Sequence, residues 1–208
     1  MHIELIDPKT HQPFESTVAG GRTFFLLTPG QQFFIRVVAK DSRRHEFVLA
    51  LDGRDTLTNL PATSLEQSGI ISERVYICRG WRVSDLEVCA FIAAPLGAGL
   101  TTAERNGSID MAGLIFAAVY DELAPLRAGQ YLGGRDIALR GGGGLGTAAG
   151  QQITDQLGTT SWTRSSAFEV QAIEYGDREH LAARGIVFPR LHPGWPLAGT
   201  RFAHPSTL

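Results

Sequence analysis

Apolar and polar residues alternate with a period of two along much of this chain. In QQFFIRVVAK, residues 31–40, the apolar side chains on one face are Phe33, Ile35, Val37 and Ala39. EFVLALD, residues 46–52, repeats the pattern with Phe47, Leu49 and Leu51. A period of two is that of a β-strand with one buried face, whereas an amphipathic helix needs a period of 3.6. The alternation therefore predicts strands rather than helices.

Further strands are predicted at regular intervals. RVYICRGWR and EVCAFIA flank a turn at Ser84–Asp85, and IDMAGLIFAAVYDE is apolar on both faces, as expected of a central, fully covered strand. Turn signals such as Pro29-Gly30, Asp52-Gly53 and Asn106-Gly107 separate the segments. Short strands at this spacing predict a mainly β fold, an antiparallel, jelly-roll-like β-sandwich. We expect its core to include Phe47, Leu49, Phe91 and Phe116.

The sequence divides into four parts. Residues 1–122 are predicted to form the sandwich core, 123–158 a glycine-rich loop region, 159–185 returning strands with a short helix, and 186–208 an extended tail. The helix is expected near 177–185, because Asp177 can cap its first turn and Gly185 can supply a left-handed residue after its last. Four prolines (Pro189, Pro193, Pro196 and Pro205) exclude regular structure in the tail.

Charge and hydropathy exclude two classes of partner. The formal net charge is −2 and the pI is about 6.3, so the chain lacks the basic footprint of a nucleic-acid-binding protein. The longest apolar run, MAGLIFAAVY, is too short to cross a bilayer as a helix. The N-terminal MHIELIDPKT has an early charge and no apolar segment, so we expect cytoplasmic synthesis without a signal peptide.

The segment LRGGGGLGTAAGQQ, residues 139–152, contains a possible ligand motif. Residues 144–149 match the loose dinucleotide fingerprint G-x-G-x-x-A. That fingerprint needs a strand before it and a helix after it, and the following QQITDQLG is too short for a crossover helix. We therefore expect a mobile or interface loop and no cofactor. Glycines lose much backbone entropy on ordering, so a partner often orders such a loop.

Other candidate chemistry is weak. The six histidines have no metal-ligand spacing, and Asp52, Asp55 and Asn59 lack the alternating oxygen ligands and final glutamate of a calcium loop. Asp121 and Glu122 are neighbours at a strand end, where side chains point to opposite faces, so they are a poor acid–base pair. No nucleophile-elbow or Walker motif is present. We expect no metal site and no enzymatic activity, and a hydrolase is the last of the hypotheses.

Cys78 and Cys89 are the only cysteines. A hairpin turn near Val83–Ser84 would place them opposite each other, so a cross-strand disulfide is one hypothesis. The other, which a cytosolic origin favours, is a pair of reduced, buried thiols.

Three tryptophans suggest different roles. Trp81 lies in a predicted strand and is expected in the core, whereas Trp195 lies in the tail, in HPGWPLAG. The tail either wraps over its own domain or inserts aromatic anchors into a neighbouring subunit, since aromatic residues concentrate at interface hot spots. The candidate interface residues are Gly141, Gly144, Gly146, Phe188, Trp195 and Phe202.

The sequence also resembles a group of uncharacterised bacterial and phage-type proteins with a Gly-Trp-Arg hairpin motif. The likeness rests on FVLALDG, RGWRVSDLEVCAF and GSIDMAGLIFAAVYDE, and on the later GTAAGQQITDQLGTTSWTR and EYGDREHLAARGI. In that pattern Gly-Trp-Arg, here 80–82, is followed by a serine and an acidic residue, here Ser84 and Asp85. The resemblance spans about half the chain and implies a β-sandwich but no activity. Residues 123–142 and the tail after Val187 depart from it.

Two functions follow as hypotheses. The first is a structural assembly protein, a phage virion component that decorates or cements the capsid, forms homo-oligomers and contacts other particle subunits. The alternative is a small-molecule or carbohydrate-binding sandwich module, with Trp81 or Trp162 as its stacking platform.

Overall fold

The computed structural model describes residues 1–62, 69–105, 109–122 and 142–188. Within these ranges the chain forms thirteen β-strands, two short α-helices and one 3₁₀ turn at Ile109–Met111. The strands are β1 His2–Ile6, β2 Ser16–Ala19, β3 Arg22–Leu26, β4 Gln32–Val38, β5 His45–Leu51, β6 Arg54–Asp55, β7 Ile70–Ser72, β8 Val75–Cys78, β9 Gly80–Arg82, β10 Glu87–Pro95, β11 Leu114–Glu122, β12 Leu145–Thr154 and β13 Arg164–Gly176. The helices are α1 Thr102–Arg105 and α2 Arg178–Ala183.

The strands form two sheets, which confirms the predicted β-sandwich. One sheet has the order β1-β4-β10-β12, with β8 beside β4 and β9 beside β10. The other has the order β2-β3-β13-β11-β5-β6, with β7 beside β5. Neighbouring strands are antiparallel except β3 and β13, which are parallel. The second sheet is therefore mixed rather than purely antiparallel.

The main core lies between the two sheets and is built from the alternating residues that the sequence indicates. Phe33, Ile35, Val37 and Ala39 all belong to it, and so do Phe47, Leu49 and Leu51. The four residues expected to be buried, Phe47, Leu49, Phe91 and Phe116, are each at most 7% exposed. These predictions are confirmed, because period-two alternation directs every second side chain to the same face of a sheet.

Strand β11 is covered on both faces, as its apolar sequence predicts. It pairs with β5 on one side and β13 on the other, and its first seven residues are buried. Ile115 and Ala117 point into the main core, whereas Leu114, Phe116 and Ala118 contribute to smaller apolar clusters.

Part of the glycine-rich region is a strand and not the predicted loop. Residues 145–154, predicted as loop, form the ten-residue strand β12, which pairs with β10 from Leu145↔Pro95 to Thr154↔Glu87. The sequence LGTAAGQQIT hides this strand, because small residues and glutamines produce no clear alternation. The backbone of this segment hydrogen-bonds to β10, and this pairing fixes it as a strand although its side chains show no pattern. Residues 123–141 lie outside the described residues.

Helix α2 begins and ends as predicted. The Asp177 side chain accepts a hydrogen bond from the His180 N–H at 2.9 Å, which makes it the N-cap. Gly185 has φ +78°, and the N–H of Ile186 donates to the Leu181 carbonyl at 2.9 Å. This is the bonding of a Schellman motif, whose left-handed position favours glycine. Leu181 and Ile186 then pack in one apolar cluster.

The two cysteines are not opposite each other, contrary to the hairpin argument. Cys78 is opposite Ile35, whereas Cys89 is opposite Trp81, and both thiols are free. The hairpin places β9 rather than β8 beside β10, so the cysteines belong to different strand pairs. Burial raises the pKa of the Cys78 thiol, which favours its neutral form.

Candidate functional site

The glycines at 143–146 pack against backbone and side chains of the chain itself. A Cβ on Gly143 would lie 2.4 Å from the Tyr175 carbonyl oxygen, and one on Gly144, which has φ +75°, would lie 2.1 Å from the His180 ring. A side chain at Gly146 would meet the Cβ of Thr101 at 2.9 Å. Only glycine allows this close approach at Gly143 and Gly144. The glycine segment therefore has a packing role in the described structure.

The dinucleotide fingerprint is part of this packed segment. Residues 145–149 belong to β12, which continues as a strand to Thr154, so no helix follows the glycines. The Thr147 N–H donates to a carboxylate oxygen of Asp52 at 2.6 Å. A phosphate cradle needs free N–H groups at a helix N-terminus. In this chain the strand β12 follows the glycines where such a cradle would need a helix.

Asp52 lies at the centre of a buried polar network beside the glycines. Its carboxylate accepts hydrogen bonds from the N–H of Gly113 at 2.8 Å and from the N–H of Thr147 at 2.6 Å. The hydroxyls of Thr147 and Tyr175 are hydrogen-bonded to each other. Asp52 itself is fully buried with φ +52°, and its N–H donates to the Leu114 carbonyl at 3.0 Å. The network links residues beside β5 and β11 to β12 and β13.

Burial dominates the electrostatics of this network. It raises the pKa of Asp52 to about 7, even though hydrogen bonds from Thr147 and Gly113 act in the opposite direction. Burial likewise raises the pKa of Tyr175 well above its usual value. Burial therefore favours the neutral form of the Asp52 carboxyl.

A second polar cluster surrounds a cleft of about 180 Å³ where β4, β5, β11 and β13 come together. Its lining includes Lys40, Asp41, Arg43, His45, Asp121 and Glu169. His45 and Asp121 are opposite each other in the β5–β11 ladder, which places their side chains on the same face. The β4–β5 connection then brings Asp41 and Arg43 to the same position.

His45 is held between two carboxylates in this cleft. Its side chain is 3% exposed, with Nε2 3.0 Å from Asp41 Oδ1 and Nδ1 3.0 Å from Asp121 Oδ1. The Nδ1 contact is close but too poorly directed for a hydrogen bond. Arg43 also bridges the two carboxylates, at 2.8 Å from Asp41 and 3.4 Å from Asp121. Hydrogen bonds from Arg43 lower the pKa of Asp41.

The remaining charges of the cleft are also paired. Lys40 contacts Glu169, and the N-terminal amine of Met1 lies 2.6 Å from the other oxygen of that carboxylate. The hydrogen bond from Lys40 is the main cause that lowers the pKa of Glu169. A ligand entering the cleft would have to displace these ion pairs, so the arrangement favours a structural role.

The interface residues proposed from the sequence fall into two groups. Gly144, Gly146 and Phe188, proposed as interface residues from the sequence, are buried against the chain itself. Phe188 is 4% exposed because it packs with Phe24, Leu181 and Ile186. Gly141, Trp195 and Phe202 lie outside the described residues.

The two tryptophans considered as sugar platforms differ. Trp81 is 3% exposed and meets the Phe91 ring edge-on, with centroids 5.3 Å apart, so it is a core residue and not a platform. Trp162 is partly exposed, and the Arg44 guanidinium lies 5.7 Å from its ring centroid. One face of the Trp162 ring therefore already has a cation partner.

The network around Asp52 was not predicted. The Asp52-Gly53 dipeptide indicates a turn, and this signal is consistent with the left-handed conformation of Asp52. Its burial and its partners depend on residues that are distant in sequence. Among the described residues, no group of three or more histidines, cysteines or acidic side chains could hold a metal ion. No helix in these ranges is long and apolar enough to cross a membrane.

Compared with known proteins, the chain matches no protein-family model, no curated protein and no solved structure.

Proposed function

We propose that this chain is a structural assembly protein, a phage virion component that decorates or cements a capsid. In this proposal the sandwich is a rigid body, and residues 189–208 form the arm that contacts other copies and other particle subunits. The observation that carries the proposal is the burial of Phe188 in the apolar cluster it shares with Leu181 and Ile186. The arm consequently starts from a fixed point on the domain.

The composition of the arm supports this role. It contains Pro189, Pro193, Pro196 and Pro205, together with Trp195 and Phe202. A proline-rich segment loses less conformational entropy on docking than a glycine-rich one. Tryptophan is the residue type most typical of interface hot spots. We therefore assign this proline-rich segment, with its two large aromatic side chains, to a hydrophobic groove on a neighbouring subunit.

The charges of the sandwich support the same proposal. In the cleft, carboxylates contact the cationic side chains of Lys40 and Arg43. In β13, the fully buried Glu174 pairs with Arg184, the C-cap residue of α2, and with Arg22 of β3. Such pairs hold strands, loops and helix in one arrangement, as a particle subunit requires. The alternative of a carbohydrate-binding module now rests on Trp162 alone, because Trp81 is buried.

The arm aromatics are expected to provide the binding energy of self-association. Replacing Trp195 and Phe202 together with alanine should weaken self-association of the full chain by at least about tenfold, since hot-spot truncations cost about 2 kcal/mol or more. Sedimentation velocity over a range of protein concentrations measures the effect.

The matched control removes two exposed apolar side chains from the sandwich. Val18 and Leu60 are 71% and 61% exposed, and replacing both with alanine should leave association unchanged. Equal association of the arm variant and the unmodified chain would contradict the proposal. Binding of an oligosaccharide that depends on Trp162 would favour the alternative.

A further inference from the structure

The tip of the β9–β10 hairpin exposes apolar and acidic side chains together. Val83 is 47% exposed and Leu86 is 55% exposed. Asp85, which lies between them in the sequence, is exposed, and Glu87 at the start of β10 is half-buried. A surface of this kind suits a partner that has both apolar and basic side chains.

The end of β12 lies beside this tip and has one open backbone edge. The N–H groups of Asp155 and Leu157 donate to two carbonyls of the hairpin turn, at 2.8 and 2.9 Å. Successive residues of an extended chain direct their backbone groups to opposite edges, so those of the intervening residues point away from the hairpin. Within the part of the chain that the structure describes, no strand pairs with that side. We call residues 152–157 on this side the open edge.

The start of β12 is protected against strand addition, whereas the open edge is not. At Thr147, the side chains of Asp52 and Thr102 bond to the N–H and the carbonyl, and an irregularity in the β10 ladder follows. Natural sheet edges avoid pairing with other chains through covering elements, bulges and charged residues. The open edge, QITDQL, lies beyond these devices, and its one charged side chain, Asp155, is paired within the chain.

The composition of the arm is complementary to this surface. Residues 189–208 contain Arg190 and Arg201 but no aspartate or glutamate, while the rest of the chain has 17 basic and 21 acidic side chains. Proline cannot donate to a β-ladder, so the part of the arm best able to pair is its longest proline-free stretch, LAGTRFAH at 197–204. The twenty-residue arm spans about 65 Å when extended, which is long enough to reach a second copy.

We propose that residues 197–204 of one copy add as a strand to the open edge of a second copy, beside its acidic hairpin tip. The inference rests on the proposed assembly function and names the surface that receives the arm. Backbone hydrogen bonds to the open edge supply part of the binding energy, and the side chains of the added strand give it specificity.

The two faces of the open edge suit two neighbouring side chains of the arm. Ile153 is half-buried on one face, whereas Glu87 is opposite Thr154 in the ladder and shares the other face with it. Arg201 and Phe202 also point to opposite faces when they lie in a strand. Phe202 then packs on the face of Ile153, and Arg201 reaches Glu87 across the small Thr154 side chain.

The acidic side chains of the tip are available for such a contact. Arg79 and Arg82 are both directed at Asp155, Arg79 at a distance of 3.8 Å. Within the described ranges, neither Asp85 nor Glu87 is in an ion pair. An arginine from a second copy therefore supplies a counter-charge that the described chain does not.

Charge reversal in the full chain tests this contact. Glu87→Arg and Arg201→Glu should each weaken self-association at least about fivefold at low ionic strength, because like charges then face each other. An equimolar mixture of the two variants should recover the association, because each arm meets a complementary edge only on the other variant. Sedimentation velocity over a range of protein concentrations measures all three. Glu73→Arg, at an exposed carboxylate in the β7–β8 turn, is the control and should leave association unchanged.

A second variant tests strand addition without changing charge. The N–H of Thr154 points to the open side, so Thr154→Pro removes a donor that the added strand needs and spares the β10 ladder. It should weaken self-association at least about tenfold while circular dichroism stays that of the unmodified chain.

The outcomes separate this inference from the assembly function. Self-association that requires Trp195 and Phe202 but is unchanged in Glu87→Arg, Arg201→Glu and Thr154→Pro would overturn the docking site and leave the assembly function standing. A mixture that fails to recover association would also overturn the docking site, since the contact would then not join two copies. A full chain that does not self-associate would overturn both.

Discussion

Replacing Phe91 with alanine is expected to lower the free energy of unfolding by about 3–5 kcal/mol, as aromatic truncations in cores do. Phe91 is fully buried in β10. Its ring centroid lies 5.5 Å from that of Phe33 and 5.3 Å from that of Trp81. These large rings cannot collapse into the space that the phenyl group leaves. Equilibrium denaturation in urea, followed by tryptophan fluorescence and circular dichroism, measures the loss.

The same hairpin offers a control for Phe91. Leu86 precedes β10 and is 55% exposed, so Leu86→Ala should change the stability by less than about 0.5 kcal/mol. A Phe91→Ala variant that unfolds at the same denaturant midpoint as the unmodified chain would show that this core assignment is wrong.

The second large effect is expected at the buried carboxylate of Glu174. Glu174 is fully buried and pairs with Arg184, while Arg22 lies 3.6 Å away. Removing one partner of a fully buried pair costs about 3–5 kcal/mol, because an uncompensated charge remains inside. Arg184→Met should cost about 2–3 kcal/mol, since Arg22 remains and Arg184 is partly exposed. Methionine preserves much of the aliphatic packing beside Phe24.

Two comparisons isolate the charge effect at Glu174. Arg178 begins α2, the helix that Arg184 caps at its C-terminal end, but the Arg178 side chain is 51% exposed, so Arg178→Met should cost less than about 1 kcal/mol. Adding Glu174→Gln to Arg184→Met removes the buried charge and should recover part of the loss. Equal stabilities of the Arg184→Met and Arg178→Met variants in thermal unfolding would contradict the interpretation.

The parts of the fold that follow from local pattern were predictable. Phe33, Ile35 and Val37 point to one side because side chains alternate along a strand, whatever their partners are. Helix α2 was predictable for the same kind of reason. The side chain of its N-cap, Asp177, accepts a hydrogen bond from the N–H of His180, three residues later in the sequence. Gly185 provides the left-handed residue after the end of the helix.

The parts that depend on distant contacts were not predictable. Strand β12 has small and amide side chains with no period, and its pairing with β10 decides its conformation. Asp52 finds its hydrogen-bond donors 61 and 95 residues away along the chain, at Gly113 and Thr147. The contact of His45 with Asp121 likewise depends on the β5–β11 register, which places these two residues opposite each other. Periodicity and spacing contain no information about such partners.

The burial of Phe188 also moves the boundary of the proposed arm. Residues 186–208 were predicted to form one extended tail, but Ile186 and Phe188 pack in the apolar cluster with Phe24 and Leu181. A truncation that tests the arm must therefore retain Phe188. A truncation before Phe188 would remove a core residue, and a loss of assembly could then result from a loss of folding.

Sedimentation velocity of the 1–188 truncation beside the full chain is the most direct test of the assembly proposal. We expect the truncation to unfold cooperatively by circular dichroism, because the described strands and α2 lie within it. We expect it to sediment as a monomer at concentrations where the full chain forms larger species, because it lacks Trp195 and Phe202. A truncation that associates as the full chain does, or a full chain that remains monomeric throughout the series, would contradict the account.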